Sequence, residues 1–168
     1  MSLIKPKALA VLDYSMVNGF LEPNESFATP FIDRTLTPTF AEFVSVQMQG
    51  QWEGTVVSPG KAYVYVVAHT GGLTISDSEV EFNTVNRILG GVTNFYLNKI
   101  GAILVGELNF NDPVATNLSR GCRFNAAKAF GGVIPTQFSV VVENKSGMQL
   151  RNPGGPIISV QGFQAETV

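Results

Sequence analysis

The sequence predicts an all-β sandwich, and three observations carry that prediction. Residues Val44 to Val56 alternate apolar and polar side chains without a break. Other short apolar runs are separated by clusters of Gly, Pro and Asn, the punctuation of a sandwich or barrel and not of a parallel α/β sheet. Helical signals are few and short. At 168 residues the chain is a single domain's worth, long enough to bury about 70% of its unfolded surface without covalent staples.

The elements follow in order. From Val44 the even positions read Val44, Val46, Met48, Gly50, Trp52, Gly54, Val56, and the odd ones Ser45, Gln47, Gln49, Gln51, Glu53, Thr55. A strand sends these two sets to opposite faces, whereas a helix scatters them around its axis. Gly50 or Gly54 is a candidate bulge. Trp52 shares the apolar face and is read as a core residue. After the turn Ser58-Pro59-Gly60-Lys61, the segment Ala62 to Ala68 is apolar on both faces, as in a central strand. Gly71-Gly72 forms another turn, with short strands at Leu73 to Ser76 and Val80 to Phe82. Residues Thr84 to Lys99 fit no period, and Gly90-Gly91 argues against a long helix there. Ile100, Ala102, Leu104, Gly106, Leu108 and Phe110 alternate again, up to the turn Asn111-Asp112-Pro113. A helical turn through Leu118 would have Pro113 at its first position. Phe124 to Phe130 is the second candidate turn. Phe138, Val140 and Val142 alternate before Asn144-Lys145-Ser146-Gly147. Ile158 and Val160 do so after the breaker Asn152-Pro153-Gly154-Gly155-Pro156.

Composition narrows the function classes. Only 14% of residues are charged, against about 25% in an ordinary domain, while hydrophobic content is 45%. Asn, Gln, Ser, Thr and Gly stand where charges usually do. This excludes a disordered tail and argues against a solitary monomer, whose surface normally carries more charge. Net charge is −2, and Lys5 and Lys7 are the only closely spaced lysines. Arg120 and Arg123 flank Cys122 but read as a solvated turn. Direct packaging of nucleic acid, which needs a basic patch or arm, is not expected. The apolar run Ala8 to Leu12 is five residues, short of the 7–15 or so of a secretion signal, and no run approaches the roughly 18 of a membrane helix. The sequons at Asn24, Asn117 and Asn144 are no more than this composition produces by chance.

Candidate chemistry is sparse. Cys122 is the only cysteine and His69 the only histidine, so no internal disulfide is available. A metal site would have to lean on carboxylates. Asp77, Glu79 and Glu81 share one strand face but read more simply as charges that discourage edge pairing. Cys122 and His69 are the one available nucleophilic pair, with no motif around Gly121-Cys122-Arg123 to support it. The Gly-Gly pairs lack the Lys-Ser/Thr of a phosphate loop. The expectation is therefore a protein that is not an enzyme, with no catalytic residue, metal or cofactor.

Residues 1–40 stand apart from the sandwich proper, 41–168. They hold Pro6, Pro23, Pro30 and Pro38 together with Phe20, Leu21, Phe27, Phe31, Ile32 and Phe40. Proline at this density interrupts ladders and helices, and the aromatics are too many for a disordered tether. The combination reads as an extended arm that packs on its own domain or on a neighbouring subunit, with Phe20, Phe27, Phe31 and Ile32 as assembly-contact candidates.

The length, this arm, the uncharged polar strand faces and the segment Pro135 to Gly147 (PTQFSVVVENKSG) together resemble the small all-β structural proteins of icosahedral viruses. The resemblance is to bacteriophage capsid shell or capsid-decorating (cement) proteins with jelly-roll-like sandwiches. It covers most of the chain in style and rests on no specific motif. It implies a jelly-roll-like fold, a homo-oligomer whose partners are copies of itself or another capsid protein, and a place in the virion after assembly in the host cytoplasm. Lacking a basic arm, such a subunit would sit outside another shell or an internal membrane and not against the genome. An alternative from another class is a lectin-like sandwich that binds carbohydrate through Asn109-Phe110-Asn111-Asp112 and Asn94-Phe95-Tyr96, although Asn and Asp also suit ordinary turns.

Overall fold

A computed structural model describes residues 4–15, 19–29, 32–33, 41–51, 60–69, 102–110 and 117–167. Eleven strands and one helix of four residues lie within them. In chain order these are β1 (Ile4–Tyr14), β2 (Phe20–Leu21), β3 (Ser26–Ala28), β4 (Ile32–Asp33), β5 (Ala41–Gln51) and β6 (Lys61–His69). Then follow β7 (Ala102–Asn109), β8 (Asn117–Asn125), α1 (Ala126–Ala129), β9 (Gln137–Lys145), β10 (Gln149–Arg151) and β11 (Ile158–Thr167). The strands form two antiparallel sheets packed as a β-sandwich. In the first, β8 lines one edge of β5, while β11 and β10 share the other; β1 pairs with β11 and β2 with β10. In the second, β3 and β4 lie end to end along β9, followed by β6 and β7.

The pairing is nested. Among the described strands, β1 pairs with β11, β2 with β10, β3 with β9, β5 with β8 and β6 with β7. Strands near the start meet strands near the end, and the pairs close inward toward the middle of the chain. The pairs β1–β11, β3–β9, β5–β8 and β6–β7 alternate between the two sheets.

The core lies between the sheets. Val44, Val46 and Met48 of β5 are fully buried, together with Leu150, Ile158 and Val160 from the same sheet. Ala62, Val64, Val66, Leu108, Phe138, Val140 and Val142 meet them from the other sheet. The alternation read in β5 thus holds over its described length, Ser45, Gln47 and Gln49 facing away from the core. Gly50 makes no bulge: it pairs in register with Leu118 on one side and Leu150 on the other. A side chain there would collide with Met148 Sδ and lie 2.9 Å from the Phe110 ring, so close approach is what requires glycine. Trp52, Gly54 and the strands read at 73–76 and 80–82 fall outside the described residues, as does the ambiguous segment 84–99.

β6 is central, as its two apolar faces require, with β9 and β7 on either side. On its outward side Tyr65 and Val67 are also buried, against Ala28 and Val141. The alternation read through β7 holds for Leu108 and Phe110, both buried, and fails at Leu104. Val64 pairs with Gly106 and Tyr65 with Leu104, which leaves Val105 as an extra residue. This bulge moves Leu104 to the outward face, where it is 50% exposed. The helical turn expected from Asp112-Pro113 through Leu118 does not reach Leu118, since Asn117 and Leu118 begin β8 and pair with β5; residues 112–116 fall outside the described residues. The second expected turn forms as α1, where the Asn125 side chain accepts a bond from the Lys128 N–H and Phe130 closes the C-terminus.

Within residues 1–40, β1 and β2 join the first sheet, and β3 and β4 the second. The link from β2 to β3 turns at Asn24, which adopts a left-handed φ of 68°. It is stitched to the end of β9 by Asn24 N–H to Asn144 O (2.7 Å) and Asn144 N–H to Glu25 O (2.8 Å). The buried Asn144 side chain donates to the carbonyls of Leu21, Glu22 and Met148 and accepts from Ser146. One side-chain amide thus ties β2 and the turn after it to the connection between β9 and β10.

Candidate assembly surface

The outward face of the first sheet is built by the register of four strands. Asp13, Ser159, Ser45 and Arg123 pair in succession across β1, β11, β5 and β8, so their side chains form one row on one face. Two residues along, Val11, Gln161, Phe43 and Asn125 form a second row. Gln47 and Gln49 continue the face along β5, with Gly121 and Ser119 opposite them on β8. Along β5 and β11 neutral amides and hydroxyls dominate this face, with Ser45, Gln47, Gln49, Ser159 and Gln161 where Lys and Glu often stand.

An aromatic and arginine cluster interrupts this polarity. The Phe43 and Phe163 rings meet edge to face at 5.8 Å, and the Arg123 guanidinium sits 5.2 Å above Phe43. Beside it Val11 is 50% exposed. At the row's other end the Ser159 hydroxyl donates to Asp13 Oδ1 at 2.6 Å. The sequence reading missed this cluster. Its signal was present: Phe43 and Phe163 fall in the polar phase of their strands, where an aromatic residue has no core to fill.

Two concavities border the face. One, about 290 Å³, lies where the loop Pro153 to Ile157 rises beside Ser45, Gln47 and Ser159. The other, about 480 Å³, runs between the β7 bulge and the start of α1, with Ile103, Leu104 and Phe124 as its apolar lining and Arg123 and Lys128 as its cations.

The assembly-contact candidates of the arm do not come together on one surface. Phe27 and Ile32 are buried in this chain's own core, at 3% and 1% exposure, whereas Phe20 is 44% exposed. Phe31 lies outside the described residues. Among the described candidates, Phe20 is the one with surface to offer.

The residues considered for chemistry are also dispersed. Cys122 Sγ packs toward the backbone of Gly106, where a Cβ would lie 2.8 Å from it, and burial pushes its thiol up to about 11, opposite to the shift that activates a nucleophile. Gly106 pairs with Val64, and His69 lies five residues farther along β6, roughly 17 Å at about 3.4 Å per residue. Asp77, Glu79 and Glu81 fall outside the described residues, among which no group of three His, Cys, Asp or Glu side chains converges. Arg120 and Arg123 lie on strand β8 and not in a turn; Arg120 donates to the carbonyls of Asn109 and Ser119, and the exposed Arg123 lies over the Phe43 ring. Of the two carbohydrate-loop candidates, Phe110 is fully buried and offers no ring face to a sugar, while Asn111, Asp112 and residues 94–96 are not described. No described helix is long and apolar enough to cross a membrane. No protein-family model matches the chain, and no curated protein is similar to it.

Proposed function

We propose that this chain is a structural subunit of a virion, a capsid shell or capsid-decorating protein that acts through contacts with copies of itself or with another capsid protein. The nested strand pairing carries this reading. Strands near the start pair with strands near the end and close inward toward the middle of the chain within two packed sheets, the order of a long hairpin folded over on itself. Such an order supports a jelly-roll-like reading, an architecture that serves viral capsid and lectin domains. The weakly charged exterior supports the same reading, because a charge buried unpaired at an interface costs several kcal/mol, whereas Gln, Ser and Asn bond equally well to a partner or to water.

Light scattering on the purified chain and electron microscopy of concentrated samples test the proposal. Discrete oligomers, closed particles or saturable coating of a preformed shell are the expected outcomes. A chain that stays monomeric at high concentration and binds glycans on an array would replace this reading with the carbohydrate-binding one.

A further inference from the structure

Resting on the reading that the chain works by self-association, we propose that the outward face of the first sheet is a two-fold contact between copies, in which Asp13 of each copy meets Arg123 of the partner subunit. The row Asp13, Ser159, Ser45, Arg123 carries an acid at one end, a base at the other and two small hydroxyls between them. Its ends are three strand spacings apart, about 14 Å at roughly 4.8 Å each. Consider a two-fold axis in the interface, parallel to the strands and midway between β11 and β5. Rotation about it lays the row on its own reverse, Asp13 over Arg123 and Ser159 over Ser45, so the Asp13–Arg123 ion pair forms twice. Sheets packed face to face stand about 10 Å apart with strands nearly aligned, a gap that an aspartate and an arginine span together.

Charge selects this axis over its alternative. A two-fold parallel to the rows would set Asp13 on Asp13 and Arg123 on Arg123, and like charges brought together suppress that docking. In the second row the same strand-parallel axis lays Gln161 over Phe43 and Val11 over Asn125, so no charge is buried without a partner on either row. Arg123, Phe43 and Phe163 also have the composition of an interface hot spot, where arginine and aromatic side chains are over-represented. Pairing through the edge of β1 is the competing route to a dimer, and three features oppose it. Pro6 lacks an N–H, Lys5 and Lys7 are exposed on the strand, and Leu9 and Ala10 bulge opposite Gly162. These features disfavour the β1 edge as the contact.

Sedimentation equilibrium of the full chain and its charge variants provides the test. Asp13→Arg and Arg123→Asp each weaken self-association at least tenfold, and the double variant D13R/R123D recovers to within about threefold of wild type. Ser45→Arg, which places bulk beside the axis, abolishes the contact while circular dichroism stays that of the folded chain. Single reversals that leave the dissociation constant unchanged, or a double variant no better than the weaker single, overturn the contact. Assemblies that form equally well with all of these variants remove the contact alone and leave the assembly reading standing. A wild-type chain that is monomeric throughout removes both.

Discussion

Single side chains show how tightly this sandwich is filled. Gly50 sits where the Phe110 ring and the Met148 sulfur close over β5, so even one methyl has no room. Gly50→Ala is expected to lower stability by about 1–3 kcal/mol, the usual cost of overpacking a filled core, read as a lower urea midpoint at unchanged slope. Cys122 provides a pH signature. Burial raises its thiol from 9.0 to about 11, so between those values the unfolded chain ionises while the native chain stays protonated. The unfolded state then binds fewer protons, and stability falls as pH rises through that window, with no contribution below it. The urea midpoint of the wild type should therefore drop more steeply than that of Cys122→Ala from pH 9 to 11. Parallel curves would show that the thiol is not held in the way its burial implies.

Elements are where local pattern and actual structure diverge most. In β5 the alternation is clean, and its even phase fills the core. In β7 the run Ile103-Leu104-Val105 is apolar in both phases, so period alone cannot detect that Val105 is an extra residue. The consequence can be measured. Leu108, buried after the bulge, should lose about 2–5 kcal/mol on substitution by alanine. Leu104, turned outward just before it, should lose less than about 1 kcal/mol, in line with an exposed position. Equal losses in chemical denaturation would mean that the register runs through without a bulge. The arm shows the same division. The apolar character of Phe27 and Ile32 is plain in the sequence, but their destination depends on β9, more than a hundred residues away, with which β3 and β4 pair.

For the whole molecule, the nested pairing dictates both folding and surface. Joining β1 to β11 closes nearly the entire chain, and such non-local pairs bear loop-closure entropy before they gain contacts. Refolding is therefore expected on the order of milliseconds to seconds or slower, as followed by stopped-flow fluorescence. A microsecond phase that recovers the full native signal would contradict this topology. The same wrapping brings β1, β11, β5 and β8 side by side, and only then do Asp13 and Arg123, 110 positions apart in the chain, become the two ends of one row. If the proposed contact through that row forms, sedimentation equilibrium should show it weakening as salt screens its ion pairs.

By itself, the sequence determined that the protein is built of strands, which phase of β5, β9 and β11 faces inward, and that its exterior is poor in charge. These properties depend on neighbouring residues, because alternation and composition act at a separation of one or two positions. Tertiary structure decided the strand partners, the bulge in β7, the burial of Phe27 and Ile32, and the joining of Phe43, Phe163 and Arg123 into one patch. Each of these depends on which distant strand wins the competition for a shared core, and short-range periodicity holds no record of that competition.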